Sequence, residues 1–383
     1  MDRTAPPVFP GGEAPPLRRV VPPSRLGRAL IRAFAVVAVG LILASANPAP
    51  ARAANPAAFT SRLLAPDPEW QATCGARAAT GQVLATALGN PAAIAVLDGG
   101  SAACSHLQWA GDLSKEWVAT GWSLRHTAAL AVDAAVLHGP ELPGYRSDGV
   151  ATVSFQATEW NAGVQTAIPL GENVGVGFGA RLFRLEDPTE PLMGVGFSLG
   201  LQARSVDRSA GIALTDAGAP LRGAQGSYTL PTRWRAGVEQ RVAQGYLLVA
   251  AAVEGEIAGA ARGALGVAVR PVSSLELMGG FQTGSNVEGG SSVGWSTGAT
   301  VKLVGLAVSY AFRQEETLGA THLIGIRLDR RSGRHIQVAD ACPPPSGPAS
   351  AIGSTIRSNA APPNDETSRP PATYSPPGAP DPR

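Results

Sequence analysis

From about Trp117 to Leu328 the chain alternates, residue by residue, between large apolar positions and small or polar ones. Val174, Val176, Phe178, Ala180 and Leu182 are interleaved with Gly175, Gly177, Gly179 and Arg181. Met193, Val195, Phe197, Leu199 and Leu201 alternate in the same way with Gly194, Gly196, Ser198, Gly200 and Gln202. Side chains of a strand point to opposite faces with period two, so each run writes one greasy face and one small or polar face. The pattern predicts strands at 105–111, 116–125, 127–138, 150–157, 160–170, 174–185, 191–204, 208–216, 230–242, 245–256, 260–271, 275–284, 291–304, 305–313 and 320–329. A series this long predicts an all-β fold: an antiparallel transmembrane β-barrel of about 14 strands with its greasy side in lipid. Tight connections at 171–173 and 304–305, set against a longer one at 215–230, fit the two unlike ends of such a barrel.

The second face carries charge. Arg233, Arg235, Glu239 and Arg241 share one side of their strand, opposite Trp234, Ala236 and Val238. Lys302 sits with Ser296 and Thr300, opposite Val293, Trp295 and Val301. With Arg181, these make six lumen-facing candidates: Arg181, Arg233, Arg235, Glu239, Arg241 and Lys302. Two roles are open to them. They contact cargo or line a pore, or they fill the interior by pairing with Glu239, Glu254, Glu256 and Glu276. Trp234, Tyr246, Trp295, Tyr310 and Phe312 lie near strand ends, where aromatic side chains suit the membrane interface.

The two ends of the chain read differently. Arg18, Arg19, Arg25, Arg28 and Arg32 precede the apolar run 33–46, and Ala51-Arg52-Ala53 follows. That is the layout of a cleaved signal peptide, with the cut expected before Ala54; an anchoring helix is the alternative, but the run is short and Asn47-Pro48-Ala49-Pro50 breaks it. The resulting division is 1–53 for the signal and its extension, 54–104 for an N-terminal plug, 105–329 for the barrel and 330–383 for a tail. Within the plug, Ala-rich Arg77–Leu88 predicts one short helix, ended by Gly89-Asn90-Pro91. The Pro- and Ser-rich tail has too few large apolar residues to repay the entropy of ordering, so it is expected to be disordered.

Composition narrows the function. With 31 Lys and Arg against 29 Asp and Glu the net charge is +2, which gives no footprint for nucleic acid. A mean hydropathy of +0.06 suits a barrel or a periplasmic protein. Gly, at 46 residues, favours strands over helices. Of the three cysteines, Cys74 and Cys104 bracket the plug and are expected to bridge in an oxidising compartment, leaving Cys342 over. No Cys or His spacing fits a structural metal site, and no cofactor is implied.

Three short motifs offer chemistry and carry little. Gly196-Phe197-Ser198-Leu199-Gly200 has the spacing of a nucleophile elbow, but that needs a strand-to-helix turn, and here the alternation runs straight through it. A hydrolase using Ser198 is the remote alternative. Gly175-Val176-Gly177-Phe178-Gly179 lacks the following helix of a dinucleotide loop. Glu186, Asp187 and Glu190 share one loop, where solvated carboxylates are expected rather than calcium ligands.

Gly75-Ala76-Arg77-Ala78-Ala79, then 81–87 and Asn90-Pro91-Ala92-Ala93-Ile94, resembles the opening signature of the PorV/PorQ family. Ile212–Leu221 resembles a mid-barrel element of that family, and 293–312 with Leu318-Gly319-Ala320-Thr321-His322 its closing pattern. The resemblance covers about Gly75 to Leu328 in order. It departs at Leu97-Asp98-Gly99-Gly100, where the family has N-P-A-G, at Gly89-Asn90 in place of an acidic pair, and in lacking a terminal aromatic. It implies a relative of the FadL-like fatty-acid channels with an N-terminal segment inside the barrel. The function it implies is transport, or secretion-associated passage, of a hydrophobic molecule or an exported protein; the alternative is a non-conducting scaffold that binds partners through loops or tail. The partners expected are the outer-membrane lipid bilayer, a hydrophobic ligand or secretion-machinery proteins. The oligomeric state is left open.

Overall fold

Wherever the chain alternates it pairs with its neighbour, and the ladder runs on until it meets its own beginning. The computed structural model describes residues 59–330, apart from 82–83, 110–111, 125–126, 147, 155, 187–190, 224–225, 258–260, 286–290 and 316–318. Its strands are β1 (Gly100–Gln108), β2 (Ser114–Leu124), β3 (Ala128–His138), β4 (Thr158–Pro169), β5 (Val174–Glu186), β6 (Leu192–Arg204), β7 (Arg208–Ala217), β8 (Leu221–Gly223) and β9 (Gly226–Tyr228). There follow β10 (Arg233–Val242), β11 (Leu247–Glu256), β12 (Ala261–Val272), β13 (Leu275–Ser285), β14 (Ser291–Lys302), β15 (Leu306–Glu315) and β16 (Gly319–Arg330). All but β8 and β9 join one closed antiparallel barrel of 14 strands, sealed where β1 pairs with β16. β8 and β9 form a separate hairpin between β7 and β10.

The pleat sorts the side chains as the alternation predicts. Phe178, Leu182, Met193, Leu199, Leu265 and Ile324 are exposed on the outside, while Gln165, Arg181, Gln202, Arg235 and Glu276 are buried on the inside. One ladder is interrupted. Between Phe197 and Leu199 of β6 the register against β7 slips, and Asp216 takes a left-handed φ of 57° in the resulting bulge.

Inside the barrel, residues from Phe59 to Leu97 form the plug. One short helix, Pro68–Ala72, starts on Asp67, whose side chain accepts from the Trp70 amide at 2.8 Å. The segment then turns repeatedly and makes 3-10 turns at Leu84–Leu88 and Pro91–Val96. The single helix expected over Arg77–Leu88 is therefore absent, and the cause is visible at Thr80. Its carbonyl, which a continuing helix would use, accepts from the wall instead, from Gln202 Nε2 at 2.9 Å and Ser209 Oγ at 3.1 Å.

Three further expectations are corrected. The strand expected at 150–157 does not form: only an isolated bridge joins Tyr145 to Ala151, and Val153 stands 88% exposed with no neighbouring strand to pair against. The hairpin of β8 and β9 lies within the longer connection read at 215–230, where the pattern predicts no strand. The barrel begins at Gly100, before the boundary drawn at 105. The signal segment, the tail after Arg330, His126, Asp187, Glu190 and Cys342 all lie outside the described residues.

Plug and wall meet most closely at glycines of the inner face. A Cβ on Gly200 of β6 would stand 2.0 Å from Asn90 Oδ1, and one on Gly177 of β5 would stand 2.2 Å from the backbone of Pro91 and Ala92. Only a residue without a side chain lets the plug backbone come this near. Gly200→Val should therefore push the plug off the wall, at a cost of about 1–3 kcal/mol of overpacking. Limited proteolysis of the folded protein checks this: cleavage within the plug should speed up. It should stay unchanged in Gly279→Ala, where the nearest atom to the new Cβ is Ser296 O at 3.9 Å.

Candidate functional site: the plugged lumen

Every charged side chain singled out on the inner face sits in an ion-paired cluster. On one side Arg181 grips Asp133 with two bonds of 2.8 Å and donates to Asn161 Oδ1 at 2.6 Å. Arg235 donates to Glu254 at 2.5 Å and lies over the Trp70 ring of the plug, 5.1 Å from its centroid. Arg233 approaches Glu254 and Glu256 at 3.9 Å, and Arg262 also bonds Glu254. Towards the short-turn end, Lys302 and Arg270 donate to Glu276 at 2.7 and 2.8 Å, and Arg241 lies 3.7 Å from Glu239.

The plug is wired into these clusters. Arg77 reaches Glu239 at 3.1 Å and both Glu69 and Glu276 at 3.4 Å, while Arg327 of β16 reaches Glu69 at 2.9 Å. Arg62 bonds Asp216 in the wall bulge through two nitrogens, at 2.9 and 2.7 Å. Lys115 of β2 donates to three plug carbonyls, those of Ser61 and Leu64 at 2.8 Å and that of Ala65 at 3.4 Å. Ion pairs from Arg62, Glu69 and Arg77, together with the Lys115 bonds, thus clamp the segment in place.

Sequence reasoning missed Asp133, Asp216, Arg62, Arg77 and Lys115. Asp133 was legible: it shares a face with Ala129, Ala131 and Ala135, all buried, so the alternation aims it inward. The plug residues carry no periodicity and had no such signal.

The expected bridge between Cys74 and Cys104 is not formed. Cys74 is buried in the plug, whereas Cys104 is exposed on the outer face of β1, so the pleat aims the two thiols to opposite sides of the wall. Burial pushes the Cys74 thiol up to about 11, which leaves it protonated and unreactive. Ser198 lies mid-strand at the bulge, where its Oγ accepts from the Asp216 amide at 3.1 Å, and β6 runs on past it to Arg204 with no helix directly after it. That is a wall contact, not a nucleophile elbow.

The space bordered by Cys74, Ala79, Arg235 and Ala264 amounts to about 10 Å³, room for one water. At the end bearing the β8–β9 hairpin, an apolar pocket is made by Phe183, Leu192, Leu221 and Leu230. Its occupant is the chain's own Phe59, 1% exposed, with its ring 5.0 Å from that of Phe183. Phe59 holds a left-handed φ of 70°, a strained backbone for an aromatic residue.

No protein-family model matches the chain, and no curated protein matches it in sequence. In three dimensions it is similar to the CymD monoaromatic hydrocarbon channel, with a TM-score of 0.53 and 13% identity, covering 71% of this chain and 99% of that one. It is similar also to a TodX monoaromatic hydrocarbon channel with a deltaS2S3 mutation, at TM-score 0.51 and 9% identity, covering 69% and 98%. The Ralstonia pickettii toluene transporter TbuX follows at 0.49 and 13%, covering 69% and 98%. What is shared is the fold. That fold is a closed barrel of antiparallel strands, and the likeness to PorV/PorQ proteins rests on the sequence elements alone.

Asp67 is expected to make docking of the plug depend on pH. Burial, with Glu69 beside it, pushes the Asp67 carboxyl up to about 7, against the opposing pull of the Trp70 amide, Arg327 and Arg77. A folded-state value raised above the ordinary 3.8 means that the docked plug binds more protons than the released one between about 4 and 7. Docking should therefore weaken as pH rises through that window and level off above it. Hydrogen exchange of the plug amides at pH 5 and pH 8 measures this. Asp67→Asn keeps a side chain that can cap the Trp70 amide and should abolish the slope.

Proposed function

We propose that the protein is an outer-membrane channel for small hydrophobic molecules, closed at rest by its plug. The observation that carries this reading is the apolar pocket at the hairpin end, filled by Phe59 at the cost of a strained backbone. An apolar aromatic side chain seated there marks the chemistry that the pocket accepts. An entering molecule of similar size and polarity competes for that space, and displacing Phe59 relieves the strain. The fold shared with proteins named as monoaromatic hydrocarbon channels supports the same class of cargo. The apolar outer belt supports residence in a bilayer, and the leader-like segment at 18–53 supports export. Within this reading, membership of the PorV/PorQ group and a part in secretion are the finer placement that the sequence elements suggest.

One observation favours a second reading, a barrel that conducts nothing and serves as a scaffold: the lumen is filled by ion pairs between plug and wall. Uptake of a toluene-sized aromatic by cells making the protein separates the two. The channel reading expects uptake above vector-only cells, raised several-fold by Phe59→Ala, which empties the pocket. Uptake at background in both the native protein and Phe59→Ala would overturn it in favour of the scaffold.

A further inference from the structure

Two successive residues of β7, Thr215 and Asp216, are both buried, although strict alternation would send one of them to the outer face. The register slip between Phe197 and Leu199 is the cause: the bulge turns Asp216 inward, with its φ of 57°. A bulge re-aims one side chain, and here that side chain is a carboxylate.

Its two oxygens are used unequally. Oδ2 accepts both bonds from Arg62 of the plug. Oδ1 is buried and, among the described residues, accepts no hydrogen bond. Arg181 Nε stands 3.7 Å from it, beyond hydrogen-bond reach, and the two Nη atoms of Arg181 are taken by Asp133 and Asn161. A buried acceptor left unpaired is costly, and it marks a place where a donor would be bound.

Asp216 borders the pocket that Phe59 fills. Gly196 of β6 lies between them: a Cβ there would stand 3.0 Å from Asp216 Cα and 3.0 Å from Cε2 of Phe183. Phe59 and Arg62 are the two ends of one turn, closed by the Arg62 amide on the Phe59 carbonyl at 3.0 Å. A molecule that takes the place of Phe59 therefore arrives beside the carboxylate that Arg62 holds. We propose that the cargo is a monocyclic aromatic bearing a hydroxyl group, its ring in the place of Phe59 and its O–H donated to Asp216. This rests on the channel reading above and narrows the class of molecule from a plain hydrocarbon to a phenol. A site with a buried acceptor discriminates against an analogue that brings no donor, because the acceptor is then left unpaired.

p-Cresol and toluene share a ring and a methyl group and differ by one hydroxyl. Each is titrated into the detergent-purified full chain, and cleavage within the plug by limited proteolysis gives its half-saturating concentration. The ratio of the two concentrations is compared between variants, so that partition into detergent cancels. The native protein should favour p-cresol about tenfold more than does Asp216→Gly, which suits the left-handed φ and removes the acceptor. Arg62→Gln loosens the plug but keeps the acceptor, so both concentrations should shift together and the ratio should stay native. Gly196→Ala narrows the path between ring and carboxylate and should lower the preference as well; it decides the matter if Asp216→Gly fails to fold by heat-modifiable migration. Toluene acting as well as p-cresol, or a preference that survives in the folded Asp216→Gly or Gly196→Ala variant, would overturn this inference and leave the channel reading standing. Neither compound releasing the plug would overturn both.

Discussion

A peptide group in the acyl region of a bilayer has no water to bond, so each strand there needs a neighbour on both sides. That requirement closes β16 onto β1 and leaves no edge. Closure in turn fixes the girth, and with it how much the inner face must hold. In a barrel of this size the inner face has to be filled by side chains, water or another piece of chain. Here the filling is the segment from Phe59 to Leu97, and the small side of the alternation is shaped to receive it.

The filled interior then decides the electrostatics. A lone buried ion is costly, whereas a paired one with its hydrogen bonds met is tolerated. Arg181 shows the tolerated arrangement: Asp133 takes both ends of its guanidinium, Asn161 takes a further hydrogen, and Gln165 donates to the same carboxylate at 2.7 Å. Glu276 shows the same logic from the acid side, with Arg77, Arg270 and Lys302 around it. The difference between the two is who supplies the partners. Arg181 and Asp133 both belong to the wall, so that pair survives if the plug leaves. Glu239 and Glu276 lean on Arg77, so part of their compensation travels with the plug.

Much of this was legible in the sequence, and what was not has a physical cause. Period-two alternation survives translation into strands because one face meets lipid and the other does not. β5 and β6 were therefore readable almost to the residue, and the inward aim of Arg181, Arg235 and Glu239 with them. The segment 150–157 also alternates, yet it lies beyond the pairing wall, and alternation without a neighbour makes no strand. The Ala-rich stretch at 77–88 favours a helix in isolation, but inside the barrel the Thr80 carbonyl finds Gln202 and Ser209 closer to hand. Intrinsic propensity lost to tertiary hydrogen bonds. The cysteines were misjudged for a related reason: spacing along the chain says nothing about a wall standing between two thiols. Phe59 and its pocket had no local signature at all, because the residues that build it come from β5, β6, the hairpin and the plug.

The chemistry of the plug interface bears on whether such a seal can open. An apolar contact between plug and wall would lose its full burial when separated, with nothing to replace it. The contacts here are of both kinds. Apolar clusters join Ala72 and Ala76 to Leu248, Ala264 and Ala311, and Leu84, Leu88 and Ile94 to Trp117, Ala131 and Ala167. Beside them stand ion pairs and bonds to carbonyls: Arg62 to Asp216, Arg77 to Glu239 and Glu276, Lys115 to the carbonyls of Ser61 and Leu64. Water entering a widening lumen can solvate each of these groups as it is released, so the cost of separation is offset step by step. The apolar clusters, that of Phe59 among them, are contacts that water does not replace and that another apolar molecule can. A seal with polar contacts that water can take over is held chiefly by its apolar clusters, and an apolar ligand that enters them lowers the cost of opening.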